Sequence, residues 1–296
     1  MPSAPPPIDP SLAALLGRVW PPLPGAAARA RVLGFGWAAV STPFLRCEGA
    51  RVVGHVGVIE LPLVVAGRRI RVGSLHAVCT DPERRRRGLG RGLMEEALAW
   101  CDGRYDTVVL TTGVPEFYTP FGFHAVREHA FSRALAPRAG LPGGGRALTE
   151  TPADVRLLRR LLAVRAPVSE RLGSLEAGTV FVVALLLTWG DFSRVHYHAT
   201  LDVVTVHEVR ERTLVLYDVV GPAMPPLGAL TAAIGADADR VMTFFSPDRL
   251  GEGFVAEPWN AARATAAGDF WFTGLMARGP LVGAGASVML PPLSRT

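Results

Sequence analysis

HAVCTDPERRRRGLGRGLMEEALAWC, residues 76–101, places four arginines (Arg84–Arg87) directly before glycines at 88, 90 and 92. Upstream the chain is apolar and β-branched up to Thr80, and Asp81-Pro82 breaks that run. Downstream, Leu89, Leu93, Ala97 and Cys101 recur every four residues, with Leu98 and Trp100 flanking them. That is the period of an amphipathic helix, and Gly103 is its expected stop. The stretch therefore reads strand, basic glycine-rich loop, helix. The first turn of a helix presents unpaired N–H groups and the positive end of the macrodipole, where anions bind. Glycines let an anion approach the backbone, and guanidinium groups add charge-assisted hydrogen bonds. Charge and missing side chains together point to a pyrophosphate. The spacing is not G-x-G-x-x-G, and there is no G-K-[ST], so neither a dinucleotide fingerprint nor a Walker loop is present. A solvated basic face and a nucleic-acid patch are the competing readings.

Working outward, RVVGHVGVIELPLVV (51–65), the turn AGRR (66–69) and IRVGSLHAVCT (70–80) form a hairpin pattern. PSLAALLGRVW (10–20) reads as a first helix, behind a Pro-rich tail expected to be mobile. TVVLTT (107–112) is the short apolar strand of a parallel arrangement. GVPEFYTPFGF (113–123) reads as irregular or briefly helical, and HAVREHAF (124–131) as a last strand. The Pro, Gly and Ala cluster APRAGLPGGGRALTETP (136–152) has no periodicity and marks a linker. Beyond it, ADVRLLRRLLAVRAP (153–167) and PPLGALTAAIG (225–235) read as helices. TVFVVALLLTW (179–189), HATLDVVTVHEV (198–209), TLVLYDVVG (213–221) and DRVMTFFS (239–246) read as strands. A faint repeat aligns Val109–Ala125 with Arg240–Ala256, with Gly122-Phe123 and Gly253-Phe254 at a constant offset. The expected organisation is one domain over residues 1–135, a linker over 136–150 and a second domain over 151–296.

Composition bounds the class. The chain has 296 residues, 49% apolar and 19% charged, which suits two well-buried globular domains. The formal charge is +5, carried without a single lysine. This fits an anionic ligand, and the basic run lacks the interleaved aromatics of a nucleic-acid surface. Cys47, Cys79 and Cys101 are odd in number and widely spaced, so neither a disulfide framework nor a zinc site is expected, and a reducing cytoplasm is. The N-terminus lacks the features of a signal peptide. Val180–Trp189, the longest apolar run, is too short to span a bilayer. His196 and His198 share one face of a strand, but no further ligand completes a metal site.

The order strand, Arg85-x-x-Gly88-x-Gly90, amphipathic helix, buried strand, FYTPFGF resembles the GNAT superfamily of acyl-CoA-dependent N-acetyltransferases over about residues 30–130. DPERRRRGLGRGLM and FYTPFGF are most similar to the enhanced-intracellular-survival type, in which a degenerate second GNAT-like domain precedes a sterol-carrier-like third. The resemblance implies an α/β (α+β) fold with a mixed sheet splayed at the co-substrate site, then a second, degenerate GNAT-like domain. It implies acetyl-CoA as co-substrate and a small-molecule primary amine, such as an aminoglycoside or a polyamine, as acceptor. Val78 and Thr80 would offer backbone groups to the pantetheine arm, the N–H near Val78 stabilising the oxyanion. Arg85, Arg86 and the amides of Arg87, Gly88, Leu89 and Gly90 would hold the pyrophosphate. Gly113 falls where the strands part.

Tyr118 matches the family's general acid, since a phenol with pKa about 10 stays protonated at neutral pH and can serve a departing thiolate. The packed-aromatic alternative sets it beside Phe117, Phe121 and Phe123. Glu60, His76 and Glu116 are candidate bases. In survival-type relatives the C-terminal carboxylate enters the active site, and Thr296 would be its counterpart here. The second domain has no R-x-x-G-x-G loop and is expected to shape the acceptor site without binding CoA. A non-catalytic acyl-CoA-binding sensor on the same fold is the alternative function.

Overall fold

The computed structural model describes residues 5–136, 143–269, 271–283 and 285–296, so the first residues of the Pro-rich tail and the middle of the linker lie outside the described residues. The first half runs α1 (Pro10–Val19), α2 (Pro22–Val32), β1 (Ser41–Glu48), β2 (Arg51–Val65), β3 (Arg68–Thr80), α3 (Leu89–Cys101), β4 (Val108–Thr112), α4 (Pro115–Tyr118), β5 (His124–Ala125) and β6 (Glu128–Ala134). The second runs β7 (Arg146–Ala147), α5 (Pro152–Ala163), β8 (Leu172–Ser174), α6 (Gly178–Trp189), β9 (Val195–His198), β10 (Val203–Arg210), β11 (Thr213–Val220), α7 (Leu227–Ile234), β12 (Arg240–Thr243), β13 (Val255–Trp259), α8 (Ala261–Ala267) and β14 (Gly274–Arg278).

The long strands β2 and β3 meet through Ala66-Gly67, both at positive φ (48° and 74°). Two residues of that conformation match the twist of the flanking strands. α3 lies against β2 and β3 with Leu93, Met94, Ala97 and Cys101 buried. It comes close at Gly54, where a Cβ would sit 2.8 Å from the Leu93 side chain.

Two mixed sheets result. One has the order β1-β2-β3-β4-β14-β5, with β8 added beside β2; the other has the order β13-β6-β12-β11-β10-β9-β7. In both, an antiparallel hairpin is followed by a helix and a parallel strand: β2-β3-α3-β4 in one, β10-β11-α7-β12 in the other. Both hairpins carry an extra residue on their second strand, at Ala77-Val78 opposite Val56 and at Tyr217. Gly122 and Gly253 share the left-handed conformation, φ 86° and 85°. The faint repeat is thus a repeat of architecture.

The two halves trade strands. β6 leaves the first sheet two residues after β5 and inserts between β12 and β13. β14 returns from the second half and inserts between β4 and β5. HAVREHAF is therefore not one strand: His124–Ala125 pair in the first sheet and Glu128 onward pair in the second. Sheet membership consequently does not follow a division at residues 135–150. Glu128 sits at the crossing, fully buried. Its carboxylate accepts from the Leu275 and Leu290 amides and forms an ion pair with Arg295.

TVFVVALLLTW also departs from expectation. It is helix α6, ended by Gly190 at φ 77°. Its run of apolar and β-branched residues copies a buried strand, yet it is buried among α2, α5 and the C-terminal segment 292–294 and so needs no polar face. HATLDVVTVHEV begins on the last residue of β9, His198, turns at 199–202 and becomes a strand, β10, only from Val203. Pro5–Asp9 are held against the fold, with Arg31 donating to the Pro5 carbonyl and Ile8 packed on the core. The largest apolar cluster joins Leu15, Leu16 and Ala30 of the first half to Leu158, Phe181, Leu185, Val206 and Phe244 of the second. The interior is thus shared by the two halves.

Candidate functional site

β3 and β4 pair in parallel only at Gly73–Val108 and Ser74–Val109; beyond these residues they part. Two features shape the opening. On β3, the bulge puts Ala77 at φ 49° and leaves Ala77 and Val78 opposite Val56 alone. The His55 ring pins it, Nδ1 donating to the Ala77 carbonyl at 2.8 Å. Burial lowers the pKa of His55, partly opposed by that bond, so the ring is neutral. At the base of the opening lies Thr296. Its hydroxyl is 2.7 Å from Ser74 Oγ and 3.2 Å from the Leu75 carbonyl, and its own carbonyl accepts from Thr111 Oγ1 at 2.9 Å. The short pairing of β3 with β4 is completed by this bridge.

The basic loop stands at the other end. Asp81, fully buried, receives the Glu83 amide (3.1 Å) and the guanidinium groups of Arg18 (2.7 Å) and Arg51 (2.6 Å). Burial alone would raise its pKa, but these donors outweigh that and hold it below the usual carboxylate range. Asp81 so ties the loop to α1 and β2. Arg84 is occupied by Glu48 at 2.8 Å. Arg85, Arg86 and Arg87 are exposed and form no ion pair among the described residues. Gly88 is the N-terminal residue ahead of α3, at φ 78°, and no side chain caps the helix. The amides of Leu89 and Gly90 are thus available beside three uncompensated cations. A Cβ at Gly90 would lie 3.3 Å from Thr80 Oγ1 and 3.7 Å from the Phe117 ring, so glycine keeps the helix start close to β3. At Gly92 a Cβ would meet only the Arg46 guanidinium, at 3.7 Å.

Tyr118 ends α4, packs edge-on to Phe123 and is buried in the cluster that holds Leu75, Leu93 and Met276, on the α3 side of the opening. Burial pushes its pKa up to about 12, opposed by a hydrogen bond with the Thr112 hydroxyl. The Cys79 thiol is likewise pushed up to about 12 by burial, against the pull of Arg85. Phe117 packs edge-on to Tyr118 at 4.9 Å and remains partly exposed. Val78 and Thr80 thus lie on β3 beyond its last residue paired with β4, Arg85–Gly90 between β3 and α3, Gly113 directly after β4, and Tyr118 at the end of α4.

The candidate bases are scattered. Glu60 faces Tyr105 and Arg71, beyond the closed end of the β3–β4 pair. His76 is buried on the face opposite α3, its Nε2 within 2.8 Å of Ser41 Oγ and receiving Trp37 Nε1–H at 3.4 Å. Burial, with His55 beside it, lowers its pKa well below that of a free imidazole. Glu116 is exposed on α4. Only Thr296 lies in the opening. Ser74, Thr111 and Thr112 escaped the sequence reading; hydroxyls in apolar strands carry no local signal.

Arg165 and Asp218, both buried, pair at 2.7 Å just past the bulge in β11. His196 and His198 stand near His207, and the Thr205 hydroxyl lies 2.8 Å from both His198 Nε2 and His207 Nδ1. One hydroxyl can donate to one neutral ring and accept from the other.

Residues 42–126 match the family model of the acetyltransferase (GNAT) domain. A search of curated proteins gives no match. Among solved structures, a probable N-acyltransferase of unknown function from Enterococcus faecalis V583 superposes with TM-score 0.57 at 12% identity, over 90% of this chain and 68% of that one. A GCN5-related N-acetyltransferase from Kribbella flavida superposes with TM-score 0.52 at 15% identity, over 90% and 67%. Eis1 from Mycobacterium abscessus gives 0.44 at 16% identity, over 67% and 55%. Residues 42–126 thus match the acetyltransferase (GNAT) domain, and the fold of the whole chain is similar to those of the Enterococcus faecalis and Kribbella flavida proteins.

Proposed function

We propose that this chain transfers an acetyl group from acetyl-CoA to a primary amine of a small molecule by direct attack. The observation that carries this reading is the order of features along the first sheet: exposed arginines at an uncapped helix start, strands β3 and β4 that part, and a buried phenol at the end of α4. Acetyl-CoA, when bound, supplies the activated acyl group. Arg85, Arg86 and the first amides of α3 hold its pyrophosphate. In this reading a backbone N–H near Val78, at the bulge, stabilises the developing negative charge. Tyr118 keeps its proton at Oη for the departing sulfur. Since a phenol held near 12 is a weaker acid than a thiol of about 8.5, its contribution is a hydrogen bond to sulfur that strengthens as charge develops.

For the proton lost by the amine, Thr296 is the one of the candidates Glu60, His76, Glu116 and Thr296 that meets both Ser74 and Thr111. Deleting Thr296 alone is expected to lower kcat with little change in acetyl-CoA affinity; unchanged kcat returns the role to Glu116 or to water.

Tyr118→Phe is the main test. Turnover should fall about a hundredfold, measured as thiol release from acetyl-CoA with a panel of amines. Acetyl-CoA affinity should hold within about twofold by calorimetry. Equal loss of both would mean that Tyr118 only packs. Tight acetyl-CoA binding with no thiol release for any amine would favour a non-catalytic sensor.

A further inference from the structure

A cleft of about 740 Å³ opens beside the splay, between the first sheet and the α8 end of the second. That size suits a metabolite-sized ligand. Thr112 and Gly113 form its inner wall, Leu275 and Met276 of β14 one side, and Trp259 and Asn260 the other. Thr112 is also the residue whose hydroxyl meets Tyr118, so a molecule lying in the cleft ends at the proposed reacting group.

Only two lining side chains are ionised, and they differ in how they are satisfied. Glu128 is fully committed: both its oxygens are taken by the Leu275 and Leu290 amides and by Arg295. It offers no negative charge to a bound cation. Arg127 is exposed and has no hydrogen bond or ion pair among the described residues. The uncompensated charge of the cleft is therefore positive, on an otherwise mainly apolar wall. A polycation such as an aminoglycoside or polyamine would meet repulsion there and no partner.

Resting on the transfer reading above, we propose that the acceptor is an apolar primary amine bearing a carboxylate, an amino acid or close relative, with Arg127 binding that carboxylate. A guanidinium matches a carboxylate in bidentate fashion. The apolar side chain then lies along β14 and Trp259, and the amine points toward Thr112. Arg127 is a specificity residue in this scheme and touches no reacting atom.

The matched probes are phenylalanine, phenethylamine, which is the same molecule without the carboxylate, and spermidine. Binding to the full chain is measured by calorimetry without acetyl-CoA, and thiol release is measured separately with it. Phenylalanine should bind about tenfold or more tighter than phenethylamine, and spermidine weakest. Arg127→Gln should abolish the preference and Arg127→Lys should retain part of it, while acetyl-CoA affinity stays unchanged in both. Equal binding of the matched pair, preference for spermidine, no binding of any probe, or a preference that survives Arg127→Gln would overturn the proposal. Intact preference without thiol release would instead count against acetyl transfer and leave the binding assignment standing.

Discussion

At the scale of single residues, burial decides which titratable groups are available. Tyr118, held up to about 12, keeps its proton wherever the protein is folded, so the rate–pH profile should show no descending limb from this phenol below about pH 11. His207 illustrates the opposite direction. Burial, with His196 and His198 adding like charge, lowers its pKa from 6.5 to about 3. Between those values the unfolded chain binds a proton that the folded chain refuses, so stability falls as pH drops from 6.5 toward 3 and is fully present above 6.5. The slope from this one group approaches about 1.4 kcal/mol per pH unit. His207→Phe, followed by chemical denaturation at pH 7 and pH 4.5, is expected to flatten that dependence; an unchanged slope would assign it elsewhere. The loop Arg85–Gly90 ahead of a helix was legible in the sequence because charge and glycine spacing are local signals. The places of Ser74, Thr111 and Thr112 were not, since they are set by pairing partners far along the chain.

At the scale of elements, turn chemistry is uneven. The β10–β11 hairpin turns through Glu211 and Arg212 at φ 44° and 63°, a conformation favoured by Asn and Gly and costing other residues roughly 1 kcal/mol. Glu211→Asn should raise stability by about 0.5–1 kcal/mol in urea unfolding without affecting acetyl transfer; Arg212 is left in place because it pairs with Asp237 and Asp239. The strand–loop–helix unit of the first sheet could be read in advance, since alternation, Asp81-Pro82 and the four-residue apolar spacing agree with one another. α6 could not be read by composition, although its twelve residues suit a helix better than a strand.

At the scale of the whole molecule, the exchanged strands join two repeats into one cooperative body. β6 and β14 each complete a sheet made by the other half, and the apolar interior is continuous between them. Calorimetry should show a single unfolding transition, and residues 1–135 expressed alone should fail to fold. Glu128→Gln leaves Arg295 charged and buried at the crossing, and should cost about 3 kcal/mol, lowering Tm without splitting the transition. Two resolved transitions would show that the halves unfold independently. The repeat was visible as a Gly-Phe offset, but the crossing was not: it turns on where Val126 and Arg127 send the chain, and nothing in those two side chains announces a change of sheet.

The crossing also imposes an order on biosynthesis. The parting of β3 and β4 is made early, whereas β14, which pairs with β4, and Thr296, which bridges Ser74 and Thr111, leave the ribosome long after them. A chain stalled between the two holds its loop and its phenol but lacks the strand that walls the cleft. Translational pausing in the second half therefore leaves the first sheet open between β4 and β5 until the returning strand arrives.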